Sequence, residues 1–187
     1  IIKQNITGVI NLSKERLLSE LKKLLLSDGF IKLSKDEFSK EIILLIFPQL
    51  KNLNIFKKLN QYSQSIIRKK DFIFLLSLLV IDETDNSDYF LYKFNVSKET
   101  KKRIIFLKEI YSNEVSNNTF SKKNLQKIFY FYGKSYLLDM IDFQLIKSNK
   151  KIKKLVELKK YFQKIEKPSF PIKAKIIMKK YNIREGR

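Results

Sequence analysis

The stretch Asn11–Phe30, NLSKERLLSELKKLLLSDGF, carries the clearest helix pattern in the chain. Ser13 is a residue type that caps helix amino termini, and the leucines after it recur at three- and four-residue intervals. Those leucines are Leu17, Leu18, Leu21, Leu24 and Leu25. Gly29 follows the last of them and predicts the end of the helix. A stripe of leucines on one side of a helix must pack against other elements, so the stretch favours a globular helical fold.

The same order of cap, apolar stripe and stop recurs in the following residues. Ser34 and Glu37 have the spacing of a capping box, and Pro48 stops the helix that they open. The predicted apolar stripe of that helix is Phe38, Ile42, Leu45 and Ile46. A third helix is predicted over residues 50–59. Residues 71–81 are apolar on nearly every side, which predicts the most buried helix of the fold.

The second half of the chain repeats the pattern. Ser97 and Ser121 are predicted caps, and Gly133 predicts the end of the helix that Ser121 opens. Further helices are predicted over residues 135–146, 152–165 and 173–181, with a polar loop at 113–119 and an extended two-proline linker at 167–171. No strand pattern of any length is present. We therefore predict an all-α protein, an irregular array of about eight to ten helices.

Cysteine and histidine are absent from the 187 residues, which excludes disulfides, thiolate zinc sites and histidine metal clusters. Any catalysis would depend on carboxylate, lysine, serine or tyrosine side chains. The first residues show no signal-peptide pattern, and the longest apolar run, residues 72–81, is far shorter than the roughly 20 residues that cross a bilayer. We expect a soluble, cytoplasmic protein.

The net charge of +20 is unevenly distributed. Residues 1–95 contain 15 basic and 11 acidic side chains, whereas residues 96–187 contain 24 and 8. A basic half beside a nearly neutral half indicates a polyanionic partner such as nucleic acid. The abundance of Ile, Asn, Phe and Tyr is typical of an A/T-rich genome, which also raises lysine content. Such a genome raises it everywhere and does not readily explain the difference between the halves.

Two groups of acidic residues are candidate metal sites. The first, residues 82–88, has Ser87 where a calcium loop needs glycine, and Lys93 where the loop needs its closing acid. The second, Asp139 and Asp142, shares one helix face without further ligands nearby, so we predict satisfied polar groups at the edge of the core. Neither group predicts a metal or catalytic site, and no glycine-rich phosphate loop is present.

Four consecutive aromatic residues, 129–132, allow two interpretations. They could stack on nucleobases. Aromatic stripes of this kind more often pack inside the fold. On that second interpretation, which we favour, Phe129 and Tyr132 face the core and Tyr130 and Phe131 fill gaps between helices.

The last 41 residues, 147–187, contain 15 basic and 3 acidic side chains. Four of the lysines surround a predicted helix start at residue 152, where the helix dipole disfavours cations. A cluster that opposes local stability indicates an anion outside the chain, and we predict phosphate contacts from seven residues in this region. They are Lys150, Lys151, Lys153, Lys154, Lys173, Lys175 and Arg184.

Four segments stand in order along the chain: LSKERLLSELKKLLLSDGF at 12–30, FPQL at 47–50, SKE at 97–99 and FPIKAKIIMKKYNIREGR at 170–187. Together they resemble the neck and body of tRNA nucleotidyltransferases of the bacterial CCA-adding enzyme and poly(A) polymerase family. The family's neck pattern is matched by Ser13, Glu15, Arg16, Glu20, Leu24 and Leu25. FPQL at 47–50 resembles the family's FPEL element, and Ser97-Lys98-Glu99 resembles a helix start in the body. The family's terminal element is matched by Phe170, Pro171, Ile172, Lys175, Ile177, Ile183 and Gly186. This element departs from the family at Ala174, where glycine is usual, and at Ile176, where aspartate is usual.

The resemblance implies the neck and body of a class II nucleotidyltransferase-like fold, with a neck-like region at residues 1–66 and a basic body and tail at 67–187. The family's catalytic head carries the carboxylate pair for two magnesium ions, and that motif is not in this sequence. The chain is then expected to be a C-terminal piece without catalytic residues, metal or cofactor of its own. The full-length parent would use Mg²⁺ with CTP and ATP, and the implied partner is tRNA, held along the backbone of its acceptor stem and T-arm.

The resemblance also gives the first predicted helix a role. It implies that Glu15, Arg16 and Glu20 support the nucleotide pocket. Arg16 and Glu20 are four residues apart and can pair on the helix surface, which would brace the helix against a nucleotide-binding turn upstream.

Two other classes of function stay open. A stand-alone helical scaffold could bind a protein partner through residues 129–132. A peripheral protein on anionic membranes would need a helix with a basic face and an exposed apolar face. The basic helix at 152–165 has apolar residues that would more simply pack on the body, so we expect no membrane partner.

Overall fold

The computed structural model describes residues 8–9, 11–112, 119–147, 152–166 and 174–183. Within these residues every regular element is a helix, so the all-α prediction is confirmed. The α-helices are α1 Lys14–Leu26, α2 Phe30–Leu33, α3 Glu37–Ile46, α4 Gln61–Ile67, α5 Phe72–Val80, α6 Asn86–Lys93, α7 Lys98–Ser112, α8 Lys122–Tyr132, α9 Lys134–Lys147, α10 Ile152–Lys164 and α11 Ala174–Tyr181. A 3-10 helix spans Leu53–Lys58. The described part of the chain thus has slightly more helices than the eight to ten predicted.

Two helices form the centre of the array. Eight of the nine residues of α5 are buried, as the sequence predicts for its apolar run. α5 packs on α1, α6, α7 and the 3-10 helix, while α9 packs on α4, α5, α7, α8 and α10. One buried core extends from Leu17 to Phe162 and is continuous across residues 66 and 67. The division there remains a prediction about function, since packing does not mark it.

The predicted serine caps are present at three helix starts. The hydroxyl oxygens of Ser13, Ser97 and Ser121 each accept a hydrogen bond of 3.3 Å from a backbone N–H three residues on. Each bond satisfies one of the amide donors that a helix start leaves unpaired. The leucine stripe of α1 is also confirmed, because Leu17, Leu21 and Leu25 are its buried residues.

The predicted capping box at Ser34 and Glu37 is wrong. Ser34 is buried and donates its hydroxyl to the carbonyl oxygen of Ile31 at 2.9 Å, so it closes the short helix α2. The cap of α3 is Asp36, whose carboxylate accepts from the Ser39 N–H at 2.8 Å. The unpredicted helix α2 takes up the serine, and the acid next in line caps the following helix.

The predicted stripe of α3 is displaced around the helix. Ile43 is the buried residue of α3, and Phe47 is buried four positions later. Phe38 is 52% exposed and Leu45 is 46% exposed. A pair four residues apart lies on one helix face, so Ile43 and Phe47 turn that face, rather than the Phe38 face, towards the core.

The predicted third helix is a 3-10 helix instead of an α-helix. Leu50, Leu53 and Phe56 are fully buried and stand at intervals of three residues. The 3-10 helix begins at Leu53, and its three residues per turn place Leu53 and Phe56 on one face.

A single glycine connects α8 to α9. Gly133 follows the last residue of α8 and has φ +86° and ψ 177°, a backbone conformation that only glycine adopts without strain. The predicted helix end at Gly133 is therefore confirmed. Gly29, in contrast, has φ −78° and precedes α2.

The linker at 167–171 and most of the loop at 113–119 lie outside the described residues. In the parts of the chain that the structure covers, the helices are too short or too polar to span a bilayer.

Candidate nucleic-acid interface

Helices α8, α9 and α10 pack into one layer that presents most of the described lysines of the basic half. The rings of Phe129 on α8 and Phe162 on α10 meet edge to face, with centroids 5.9 Å apart. Lys122 Nζ lies 4.1 Å from the ring centroid of Tyr161, which joins the same two helices at the surface. These contacts fix the outer faces of α8 and α10 relative to each other.

A buried charge network holds this layer to the rest of the fold. Asp139 and Asp142, one turn apart on α9, are both buried. Lys70 Nζ lies 2.8 Å from a carboxylate oxygen of each of them. Arg103 Nε donates to Asp139 at 2.7 Å, and the same guanidinium contacts Asp71, the cap of α5.

The network reaches α10 through Lys159. Its Nζ lies 2.5 Å from Oδ1 of Asp142. This contact is an ion pair without hydrogen-bond geometry, since Oδ1 accepts no hydrogen bond among the described residues. Three acids and three bases are thus connected in one network, and the Lys159 contact turns the opposite face of α10 outward.

The network changes the pKa of three of its members. Burial alone would lower the pKa of Lys70, but the charges of Asp142 and Asp139 outweigh burial and raise it. Burial would likewise lower the pKa of Arg103, and its carboxylate partners raise it. Burial would raise the pKa of Asp71, yet hydrogen bonds from Arg103 and the Phe74 N–H bring it below its usual value. All three groups are therefore held in their charged forms.

The two buried acids act as structural anchors, as the sequence predicts. Their carboxylate groups are paired with the side chains of Lys70, Arg103 and Lys159. The described residues also contain no group of three acidic side chains placed to hold a metal ion.

The outer face of α10 is basic. Lys153, Lys160 and Lys164 are exposed and stand seven and four residues apart, on one side of the helix. Glu157 is the exposed acid near them. Because α10 begins at Ile152, Lys153 and Lys154 lie in its first turn, where the helix dipole is unfavourable for cations.

The last helix, α11, also carries exposed lysines. On α11, Lys175, Lys179 and Lys180 are exposed, together with Tyr181. Its apolar residues also face solvent, with Ile176 57% exposed. α11 follows residues 167–173, which lie outside the described part.

The seven predicted phosphate contacts divide into two groups. Lys153, Lys154 and Lys175 are described and exposed, as phosphate contact requires. The other four, Lys150, Lys151, Lys173 and Arg184, lie outside the described residues. Exposed lysines that the sequence prediction did not include, Lys160 and Lys164, share the outer face of α10 with Lys153. Helical spacing from Lys153 could have identified both.

The aromatic residues 129–132 differ from the favoured interpretation in all but one position. Phe129 is fully buried, as predicted. Tyr130, Phe131 and Tyr132 are 41%, 73% and 47% exposed, so Tyr130 and Phe131 do not fill gaps between helices. α8 has only one side against the core, and four consecutive residues go right around a helix. Most of the run therefore had to face solvent.

The three residues predicted to support a nucleotide pocket lie on two sides of α1. Glu15 lines a groove of about 670 Å³ between α1 and the amino-terminal ends of α5 and α7. Arg16 and Glu20 are exposed. The carboxylate of Glu20 is 2.8 Å from Lys23 Nζ, and that hydrogen bond is the main cause of its lowered pKa, with Arg16 a weaker contribution. The ion pair of Glu20 is thus formed with Lys23 rather than with Arg16.

The described residues form a basic α-helical array. Its buried acids are paired with lysine and arginine side chains, and its outer faces are rich in lysine. Comparison of the chain with protein-family models, with curated proteins and with solved structures found no match. The resemblance to tRNA nucleotidyltransferases therefore stays a prediction from the sequence.

Proposed function

We propose that this chain is the RNA-binding, C-terminal portion of a tRNA nucleotidyltransferase, the part that grips the tRNA backbone while a separate head adds CCA to the 3′ end. The observation that carries the proposal is the outer face of α10, where exposed lysines stand in a helix start that disfavours them. That placement has no local benefit, and a phosphate backbone supplies the missing anion.

The chemistry of RNA supports a surface of this kind. The grooves of an RNA duplex offer little sequence information to side chains, so proteins hold it through phosphates and shape. Lysines on a helix that is fixed to a rigid core provide charge at defined positions. The resemblance adds the partner, tRNA, and the reaction of the parent, nucleotidyl transfer from CTP or ATP with Mg²⁺. In this proposal the chain contributes neither metal ligands nor catalytic carboxylates, and Glu15, Arg16 and Glu20 serve the nucleotide pocket from the side.

A matched pair of charge-reversal variants tests the proposal. Lys153→Glu, Lys154→Glu and Lys160→Glu together remove three exposed cations from α10. Lys32→Glu, Lys35→Glu and Lys51→Glu make the same change in net charge on exposed positions of the nearly neutral half. Binding of a tRNA transcript is measured by fluorescence anisotropy from 50 to 200 mM salt. We expect the α10 variant to lose most of its affinity, and its salt slope to fall by about two to three.

The control variant and the fold keep this result interpretable. A carboxylate in the first turn of α10 interacts favourably with the helix dipole, so the α10 variant should keep its thermal stability. Equal losses of tRNA affinity in both variants would show that net charge, and not the position of the lysines, determines binding. Unchanged tRNA affinity in the α10 variant would refute the proposal.

A second candidate, a scaffold that binds a protein partner, is favoured by one observation. Phe131 is 73% exposed, and aromatic side chains are enriched at protein interfaces relative to the rest of the surface. This candidate predicts no salt-dependent binding of RNA. The same titration separates the two candidates, because a scaffold protein would bind tRNA weakly both as the wild-type chain and after charge reversal.

A further inference from the structure

The carboxyl-terminal end of α8 presents three aromatic side chains to solvent. Tyr130, Phe131 and Tyr132 are consecutive, and each is at least 41% exposed. The rings of Tyr130 and Phe131 meet edge to face, with centroids 5.2 Å apart. The ring of Tyr132 packs on that of Phe106 of α7, with centroids 4.8 Å apart, so this end of α8 is fixed to α7.

A groove of about 440 Å³ opens beside Tyr132, between α8 and α7. Its apolar lining comes from Ile105 and Phe106, and Tyr132 provides an aromatic wall. The volume falls in the range of about 300–1,000 Å³ that is usual for small-ligand pockets. The groove therefore offers a flat aromatic surface and enough space for a single planar ring system.

Lysines stand on both sides of these rings. Lys98, Lys101 and Lys102 of α7 line the groove and are exposed, with Glu109 as the acid among its lining residues. On α8, Lys123 and Lys127 are exposed, and Lys127 precedes Phe131 by one helical turn. Five lysines against one acid favour a polyanion over a protein partner of mixed charge.

The combination of exposed rings and flanking cations matches one ligand chemistry. Proteins bind single-stranded nucleic acid by stacking bases on aromatic side chains while cations track the backbone. In a duplex the bases already stack on one another and their faces are hidden, so the rings would add nothing to duplex binding. An acidic peptide would satisfy the lysines but would leave the three rings without a planar partner.

We infer that the end of α8 and the adjacent groove on α7, here called the aromatic groove, bind unpaired RNA bases by stacking. The aromatic groove comprises the groove lined by Tyr132 and the α7 lysines and, beside it at the end of α8, the exposed rings of Tyr130 and Phe131. The inference rests on the proposed function for the presence of RNA and adds to it the kind of RNA segment, an unpaired one, that this surface takes.

Replacing one exposed ring by tryptophan gives a direct readout, because the chain contains no tryptophan. Phe131→Trp places a single fluorophore at the exposed end of α8, next in sequence to the groove wall Tyr132. Tyr92→Trp places one at the 84% exposed position of α6 as a matched control. Stacking of a base on the indole quenches its fluorescence. Titration of the 187-residue chain with a ten-nucleotide single-stranded RNA should quench the Phe131→Trp emission and leave the Tyr92→Trp emission unchanged.

A second pair of variants measures affinity. Phe131→Leu keeps an apolar helix-forming side chain and removes the ring, and Tyr92→Leu does the same at the control position. Single-stranded RNA should bind about tenfold more weakly to Phe131→Leu than to the wild-type chain. A duplex of the same length should bind both chains equally, and circular dichroism confirms that the variants stay helical.

The outcomes separate this inference from the proposed function. If both RNAs bind but neither Phe131 variant changes its signal or affinity, the stacking site is refuted and the RNA-binding function stands. If neither RNA binds, both fail. Quenching of the Phe131→Trp emission by an acidic peptide but not by RNA would reassign the aromatic groove to a protein partner and overturn the inference.

Discussion

Lys70 is the base that links the two buried acids of α9. It contacts both buried acids of α9 at 2.8 Å, and its ammonium also lies 4.5 Å from the ring centroid of Phe74. Without Lys70 the network would contain three acids and two bases, so one largely buried negative charge would lose its compensation. The network therefore stabilises the fold only as long as it is complete.

Lys70→Met is expected to lower the free energy of unfolding by about 3 kcal/mol at neutral pH. Lys69→Met, at the exposed neighbouring position, should change it little. The raised pKa of Lys70 makes its contribution fully present below the ordinary lysine value of about 10.4, and the contribution is lost as pH rises through the folded pKa. The measurement is urea unfolding at pH 7, 9 and 11. A difference between wild type and Lys70→Met that is undiminished at pH 11, above the unfolded lysine pKa of about 10.4, would contradict this.

In the buried charge network, the burial of the two acids could be predicted from the sequence, whereas their partners could not. The spacing of Asp139 and Asp142 predicts that they share a face and are satisfied near the core. Their partners come from three separate helices or helix ends, at positions 70, 103 and 159. No local spacing connects those positions, so the partners could be found only in the folded structure.

At the scale of elements, Gly133 controls the angle between α8 and α9. Nothing lies within 4 Å of where a β-carbon would be placed, so the backbone conformation alone restricts this position. Gly133→Ala should therefore destabilise the fold by about 1–3 kcal/mol. Gly29→Ala is the matched control, because Gly29 is also uncrowded but has a negative φ.

Thermal unfolding of the two alanine variants gives the comparison. Gly29→Ala should be neutral or slightly stabilising, since alanine restricts the unfolded chain. Equal melting temperatures for the two variants would show that the conformation of Gly133 carries no strain for alanine.

Element types were more predictable than element partners. Serine caps and the leucine stripe of α1 depend on local hydrogen bonds and a single helical period, and the sequence predicts them correctly. The capping box at Ser34 failed because an unpredicted short helix uses that serine. The helix predicted over residues 50–59 is present as a 3-10 helix, in which Leu53 and Phe56 stand three residues apart on one buried face.

At the scale of the whole molecule, the net charge of +20 opposes folding through self-repulsion. The network balances three acids with three bases, so the excess cations lie outside it. Raising salt from 10 to 200 mM shortens the screening length from about 30 Å to below 10 Å. The melting temperature should therefore rise over this range.

The α10 charge-reversal variant provides the comparison for this prediction. Three Lys→Glu changes remove six charge units, which brings the net charge from +20 to +14. Its melting temperature should depend less on salt than that of the wild-type chain. A salt response that is identical in the two proteins, by differential scanning fluorimetry, would assign the effect to specific ion binding.

Lys159 gives α10 lysines on two sides, one pointing to a buried carboxylate and the others to solvent. A force that an anionic ligand applies to the outer lysines is then transmitted from α10 through Lys159 to Asp142, at the centre of α9. The helix is fastened at its inner side by a charge of the same sign as those on its outer side. Adding cations to the outer face of α10 would leave the ion pair between Lys159 and Asp142 unchanged. Replacing Lys159 would remove that ion pair and with it the contact that holds the outer face in position.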